Sequence, residues 1–326
     1  MFNVSPSPLG DVIRTVCVFA PLVLVGVLGL SACGSTDATT APEGTPGTGP
    51  GLIEVATSTD VYGAVASRIG GDRVQVTSFI DNPNKDPHDY QSTPADALTV
   101  STAALVIVNG GGYDDFMTTL VDAAGGDAEL LDVGTFSGLA DKVPAGQELN
   151  EHFWFDLPLM QDVADEIAKN LGEASPADSG TFTENAKAFR EDVDALIEIE
   201  DDIAKKHAGD KVAATEPLPH YLLEATELEN VTPEEFMRAS EQGQDPSAAV
   251  VQETLELIQG PDKIKALLLN EQTAMPSSDR LEAAVKDNGV PEVALAETLS
   301  EPGQGYVEWI RAQITALRDA LKARVG

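Results

Sequence analysis

The chain has 326 residues and a formal net charge of −34, with 42% hydrophobic and 23% charged residues. This length allows two domains with cores of their own, and the composition is that of a globular protein rather than a disordered one. The large negative charge favours solubility and disfavours nucleic acid or an anionic membrane surface as a partner.

An apolar segment that ends in a cysteine comes first along the chain. Residues 16–32 are uncharged and apolar, which suits a signal-peptide core better than a membrane span. The segment closes with Leu30-Ser31-Ala32-Cys33, which resembles the lipobox of bacterial lipoproteins. That resemblance implies cleavage after residue 32 and lipid attachment to the Cys33 thiol. An uncleaved anchor helix is the alternative, and both interpretations place the remainder outside the cytoplasm.

Residues 33–51 are rich in Gly, Pro, Thr and Ser and contain little to bury. They are expected to form a flexible tether with a reach of about 20–25 Å. Both cysteines, Cys17 and Cys33, precede the folded part, so a metal site in that part must use His, Asp and Glu.

Short β-rich runs then alternate with amphipathic segments through residues 52–173. Strands are predicted near 52–58, 73–80, 104–109 and 128–133, and helices at 61–69 and 157–171. This alternation predicts a parallel sheet in an N-terminal α/β lobe.

A long segment without strand signals follows at 174–209. Its apolar residues recur at helical spacing, Pro176 stands near its start and Gly209 follows its end. One rigid linker helix of about 30 residues, roughly 45 Å long, is predicted.

The alternation resumes over residues 210–326. Strands are expected at 211–216, 264–270 and 291–298, and helices near 218–226, 246–258, 276–288 and 306–324. The fold class predicted is therefore α/β, with two lobes joined by one long helix and a ligand in the cleft between the lobes.

Two of the four histidines stand where an α/β lobe places ligands. His88 lies in a polar, proline-rich loop after a predicted strand, and His152 follows the last strand of the N-terminal lobe and precedes a helix. By position alone, a structural role for either histidine remains open.

The residues around these histidines carry a specific resemblance. Asp86-Pro87-His88-Asp89-Tyr90 and the run His152 to Asp156 resemble the two N-terminal ligand motifs of the zinc/manganese solute-binding lipoproteins of ABC transporters (solute-binding protein family 9). The similarity extends over the chain after Leu52. Ser92 and Leu157 depart from prolines that are usual in this family, which affects loop stiffness rather than ligand atoms.

The resemblance implies two further ligands from the C-terminal lobe. The family's third ligand, His or Glu, falls on Glu216, and its last acidic ligand falls on Glu297. The predicted metal site is therefore His88, His152, Glu216 and Glu297. His220, four residues after Glu216, is a possible alternative ligand, and a surface histidine is the simpler interpretation.

The donor set suits a divalent transition metal as cargo. Two neutral imidazoles and two carboxylates balance the charge of one such ion, and zinc would accept them as a tetrahedron. Glu216 in place of a third imidazole makes the site harder, so Mn²⁺ is favoured slightly over Zn²⁺.

Four protein ligands indicate capture rather than catalysis, since an exported metal hydrolase would need an open coordination position and a general base. We therefore expect a non-enzymatic, monomeric metal-binding lipoprotein on the outer face of the cell membrane. Its expected partners are an ABC permease and the associated ATPase, and little lobe movement is expected on binding. A surface lipoprotein that binds a non-metal ligand, or an adhesin, is the alternative.

Overall fold

Two four-stranded parallel sheets organise the chain in the computed structural model, which describes residues 51–82, 85, 90–125, 128–144, 148–260, 264–273 and 275–323. In both sheets the second strand in sequence forms one edge, followed by the first, third and fourth strands. Each sheet thus reverses its winding direction between its first and third strands, which is where open α/β sheets bind ligands. The predicted two-lobed α/β class is confirmed.

The N-terminal lobe begins with the strand that becomes the centre of its sheet. Almost every residue of this strand is buried, and it pairs with the strands on both sides. The elements in chain order are β1 (Ile53–Thr59), α1 (Asp60–Gly70), β2 (Val74–Ile80), α2 (Pro94–Thr102), β3 (Leu105–Val108), α3 (Asp115–Ala124), β4 (Glu129–Asp132), α4 (Val133–Ser137) and α5 (Leu157–Ala174).

The linker helix, α6 (Ser179–His207), has 29 residues and therefore a length of about 43 Å. It begins after Pro176 rather than at it, because Ser175 and Asp178 form a hydrogen-bonded turn between α5 and α6. One side of α6 is buried against α1, α5 and the C-terminal helix, so it is a packed element rather than a free-standing rod. Of the helices in the described part of the chain, none is both long and apolar enough to cross a membrane.

The C-terminal lobe repeats the strand order of the first. Its elements in chain order are β5 (Lys211–Ala214), α7 (His220–Ala225), β6 (Glu229–Asn230), α8 (Glu234–Glu241), α9 (Ala248–Gln259), β7 (Leu267–Asn270), α10 (Pro276–Asn288), β8 (Glu292–Leu295) and α11 (Tyr306–Lys322). Because β5, β7 and β8 are adjacent and parallel, the loops that follow them meet at one edge of the sheet.

The largest hydrophobic cluster connects both lobes through α6, and each lobe has a smaller cluster of its own. The largest cluster includes residues of β1 and β3, of β5 and β8, and of the helices packed on α6. An aromatic side chain joins the lobes. The ring of Tyr306, at the start of α11, packs against the ring of Phe189 in α6. The Tyr306 hydroxyl donates a hydrogen bond to the Trp154 carbonyl at 2.8 Å. This shared core limits how far the two lobes can separate.

Candidate metal site between the lobes

Two predicted C-terminal ligands are held by one amide. Glu216 lies two residues beyond β5, and Glu297 lies two residues beyond β8. The side-chain nitrogen of Asn270, the last residue of β7, donates to Oε2 of Glu216 at 2.7 Å and to Oε1 of Glu297 at 2.6 Å. The structure therefore brings Glu216 and Glu297 together at the carboxyl ends of three neighbouring strands.

The loop that carries Glu297 is fixed through its backbone. Oε1 of Gln272 accepts hydrogen bonds from the amides of Glu297 and Thr298 at 2.6 and 3.1 Å. One step further along, the Leu299 amide donates to Asp60 at the start of α1, at 3.2 Å, which joins this loop to the N-terminal lobe. Burial raises the pKa of Asp60 to about 6, despite the opposing effect of this hydrogen bond.

Tyr113 brings the N-terminal lobe into direct contact with Glu297. Its hydroxyl donates to Oε2 of Glu297 at 3.0 Å, and its ring is fully buried. Burial, followed by the charge of Glu297, raises the Tyr113 pKa well above its ordinary value, so the hydroxyl remains a donor. Tyr113 follows a turn in which Gly110 has φ +70°, and a β-carbon on Gly110 would collide with the Asp132 carboxylate.

His152 is buried with a defined orientation. Its side chain is 2% exposed and stands just before the short 3-10 turn of residues 153–155. Oδ1 of Asn150 lies 3.0 Å from the His152 amide and 3.2 Å from Nδ1. Because Asn150 uses its nitrogen to donate to the Pro217 carbonyl, this oxygen is an acceptor and Nδ1 carries the proton. Nε2 is then the nitrogen with the lone pair that a metal requires.

Two glutamates that the sequence analysis did not select also belong to this region. Ligand atoms of Glu151, His152 and Glu241 all lie within 4.8 Å of one another. Burial is the main cause that raises the pKa of Glu151 and of Glu241 to about 8 each. Neighbouring carboxylates add to both shifts. Among them, Glu241 contributes most to the raised pKa of Glu151, and Glu216 contributes most to that of Glu241. Glu151 adjoins the His152 motif, whereas nothing in the sequence around Glu241 pointed to this position.

The remaining predicted residues fall in other places. His88 and Cys33 lie outside the described residues, as do the predicted signal peptide and nearly all of the tether. His220 is the first residue of α7, with its side chain 44% exposed and its Nε2 3.7 Å from Oε2 of Glu224. The structure thus places His220 at the surface beside Glu224.

A wide depression lies next to the site in the N-terminal lobe. Its volume is about 580 Å³, and it is lined by residues 90–92 and by residues of the turn and helix around Tyr113. Tyr113, one of its lining residues, is the residue that contacts Glu297.

The paired sheets, the shared helix and the predicted ligand residues beyond the strand ends are those of the two-lobed α/β binding proteins. Comparison with known proteins identifies the family. Residues 55–320 match the family model described as "ZnuA: Zinc-uptake complex component A periplasmic". The chain belongs to that family, whose description names an uptake component rather than a catalyst.

Individual relatives agree with this assignment. The metal ABC transporter substrate-binding lipoprotein ScbA of Streptococcus cristatus is 26% identical over 94% of this chain and 98% of its own length. The manganese-binding lipoprotein MntA of Halalkalibacterium halodurans is 30% identical over 57% of this chain and 58% of its own. The periplasmic zinc-binding protein TroA of Treponema pallidum superposes with a TM-score of 0.69 at 21% identity, covering 84% of this chain and 100% of that structure, which supports the fold.

Proposed function

We propose that this protein captures a divalent transition-metal ion outside the cytoplasm and delivers it to an ABC importer. The observation that carries the proposal is the meeting of Glu216 and Glu297 at Asn270 in a metal-uptake family fold, with Tyr113 in contact with both Glu297 and the ring of His152. His88, which follows β2 in the sequence, is proposed as the fourth ligand. The metal would then be held by the imidazoles of His88 and His152 from the N-terminal lobe and by the carboxylates of Glu216 and Glu297 from the C-terminal lobe.

Mn²⁺ is proposed as the preferred cargo over Zn²⁺. Three arguments support manganese. Glu216 provides an oxygen ligand where an imidazole would favour zinc, and carboxylates in general suit manganese. The relative MntA is named as manganese-binding. The general order of metal affinities still places zinc above manganese at nitrogen and oxygen sites. The preference is therefore measured as the ratio of Mn(II) affinity to Zn(II) affinity, compared between the parent chain and a reference variant.

Isothermal titration of the purified, metal-stripped full chain with Mn(II) and with Zn(II) tests the proposal. We expect one ion per chain, loss of binding in His152→Ala and weaker binding in Glu297→Ala. Lys205→Ala, an exposed position on α6, is the control and should bind as the parent does. A parent chain that binds neither metal would refute the capture function.

Anchoring and partners extend the same proposal. We infer that residues 1–32 are removed, that Cys33 carries the lipid and that residues 33–51 tether the N-terminal lobe (52–173), linker (174–209) and C-terminal lobe (210–326). The relatives ScbA and MntA are named lipoproteins, which supports this arrangement. The protein extracted from membranes should be a chain that begins at Cys33 and carries lipid in an intact-mass measurement, and a chain that keeps residues 1–32 would contradict the lipid anchor. The protein is proposed to be a monomer. A permease and its ATPase are the proposed partners.

A further inference from the structure

We propose that Glu241 is an additional metal ligand, supplied by the C-terminal lobe at the end of α8. The inference rests on the proposed function, because it adds one carboxylate to the site described above. It is carried by the position of Glu241 relative to His152 and by the absence of a basic partner for it in the described part of the chain.

The distance between the two side chains is that of two ligands on one ion. Oε1 of Glu241 lies 3.6 Å from Nε2 of His152. Since Nδ1 of His152 faces Asn150, Nε2 is the lone-pair nitrogen, and it is this atom that lies close to the Glu241 carboxylate. Two donor atoms that are each about 2.1 Å from a metal are about 3.0–3.6 Å apart at angles of 90–120°.

The surroundings of Glu241 call for a cation. Glu241 is the last residue of α8, and the last turn of a helix carries partial negative charge, which favours a cation beside it. Among the residues that the structure describes, its ion-pair contact is with His152 alone, and no Lys or Arg pairs with it. The side chain is 24% exposed and thus is only partly stabilised by water. A divalent ion between His152 and Glu241 would pair with this carboxylate and with the negative end of the helix.

The fold holds Glu241 in place. α8 is anchored by Phe236, which is fully buried, and by buried Ser240 next to Glu241. The carboxylate therefore belongs to a packed helix rather than to a free loop. Its position is fixed before the metal binds.

A further carboxylate changes the metal that the site prefers. Together with the proposed set it supplies five protein ligands, more than tetrahedral zinc takes and closer to the number that manganese accepts. Glu241 would thereby favour manganese, the direction in which Glu216 also acts.

The test compares Glu241→Ala with Glu235→Ala in the metal-stripped full chain. Both glutamates lie on α8, and Glu235 is exposed. Alanine preserves helix propensity, and the melting temperature of the metal-free variants checks the fold. We expect Mn(II) affinity to fall at least tenfold in Glu241→Ala, with a smaller loss for Zn(II), and to change less than twofold in Glu235→Ala. Water-proton relaxation by the bound Mn(II) should rise in Glu241→Ala, because water takes the vacated position.

Two results would overturn the assignment. One is Mn(II) affinity within twofold of the parent in Glu241→Ala. The other is weaker binding with unchanged water-proton relaxation, which would mean that Glu241 acts by charge at a distance. Failure of the capture function is distinguishable from both: in that case the parent chain itself binds no metal, whereas here the parent binds and His152→Ala does not.

Discussion

Replacing Glu200 by Gln tests whether a buried carboxyl in the linker helix limits stability at neutral and alkaline pH. Glu200 is 3% exposed in α6, and in the described part of the protein its Oε1 has no hydrogen-bond partner. Burial, with smaller contributions from Asp156 and Asp201, raises the Glu200 pKa from 4.5 to about 8. The side chain is therefore protonated in the folded protein at pH 7 and ionised in the unfolded chain.

The sign and size of the effect follow from proton binding. Between pH 4.5 and pH 8 the folded state binds one proton more than the unfolded state at Glu200, so the free energy of unfolding falls as pH rises. The contribution is complete below pH 4.5 and is lost as the pH rises through about 8. A full unit of pH within this interval corresponds to about 1.4 kcal/mol, and the loss between pH 6 and pH 9 amounts to about 2–3 kcal/mol.

Urea unfolding of the metal-free protein, followed by circular dichroism from pH 6 to pH 9, measures the difference between Glu200→Gln and the parent. Gln cannot ionise, so the variant should gain about 2–3 kcal/mol relative to the parent across this interval. Any cost of burying the amide is constant with pH and cancels in this comparison. Exposed Glu198, changed to Gln on the same helix, should show no such trend. A difference between Glu200→Gln and the parent that stays constant within about 0.5 kcal/mol would refute the reasoning.

Three further substitutions test contacts around the site and the core. Asn270→Ala removes the donor shared by Glu216 and Glu297, and should weaken metal binding about tenfold in calorimetry, the equivalent of about 1.4 kcal/mol; unchanged affinity would contradict this role. Tyr306→Phe leaves the Trp154 carbonyl without its buried donor and should lower the free energy of unfolding by about 1–3 kcal/mol, while metal affinity stays as in the parent. Thr93→Ala breaks the capping box of α2 and should cost about 1 kcal/mol, visible as faster amide exchange confined to residues 94–102; exchange that accelerates throughout the protein would argue against a local effect.

Much of the fold could be predicted because its periodicity is strong. The buried strands β3 and β7 consist almost entirely of apolar residues, and α6 repeats apolar residues at helical spacing along most of its length. Short polar elements were missed. α8 buries only Phe236 and Ser240, and β6 has only two residues, so neither produces a periodic signal. The sequence predicts the start of α6 near Pro176, whereas the helix begins at Ser179, because the turn made by Ser175 and Asp178 depends on a side-chain contact.

The residues of the candidate site also fall into those that the sequence indicates and those that it does not. Glu216 and Glu297 could be selected because each follows a strand at a position matching a family motif, and the structure brings them together at Asn270. The motif around His152 indicates that residue, and the identity of His88, His152, Glu216 and Glu297 as ligands stays a prediction. Glu241 could not be found, because it reaches His152 through the packing of α8 in the other lobe, and sequence spacing carries no information on that contact.

The shared core has a consequence for the kinetics of cargo exchange. Because residues of both sheets and of α6 belong to one hydrophobic cluster, wide separation of the lobes would expose much of that cluster to water. Denaturants act on a transition in proportion to the surface that it exposes. If metal leaves by movement of the loops around Asn270 alone, its dissociation rate should depend only weakly on urea below the unfolding transition. The carrier would then retain its ion through ordinary fluctuations and yield it where another protein moves those loops.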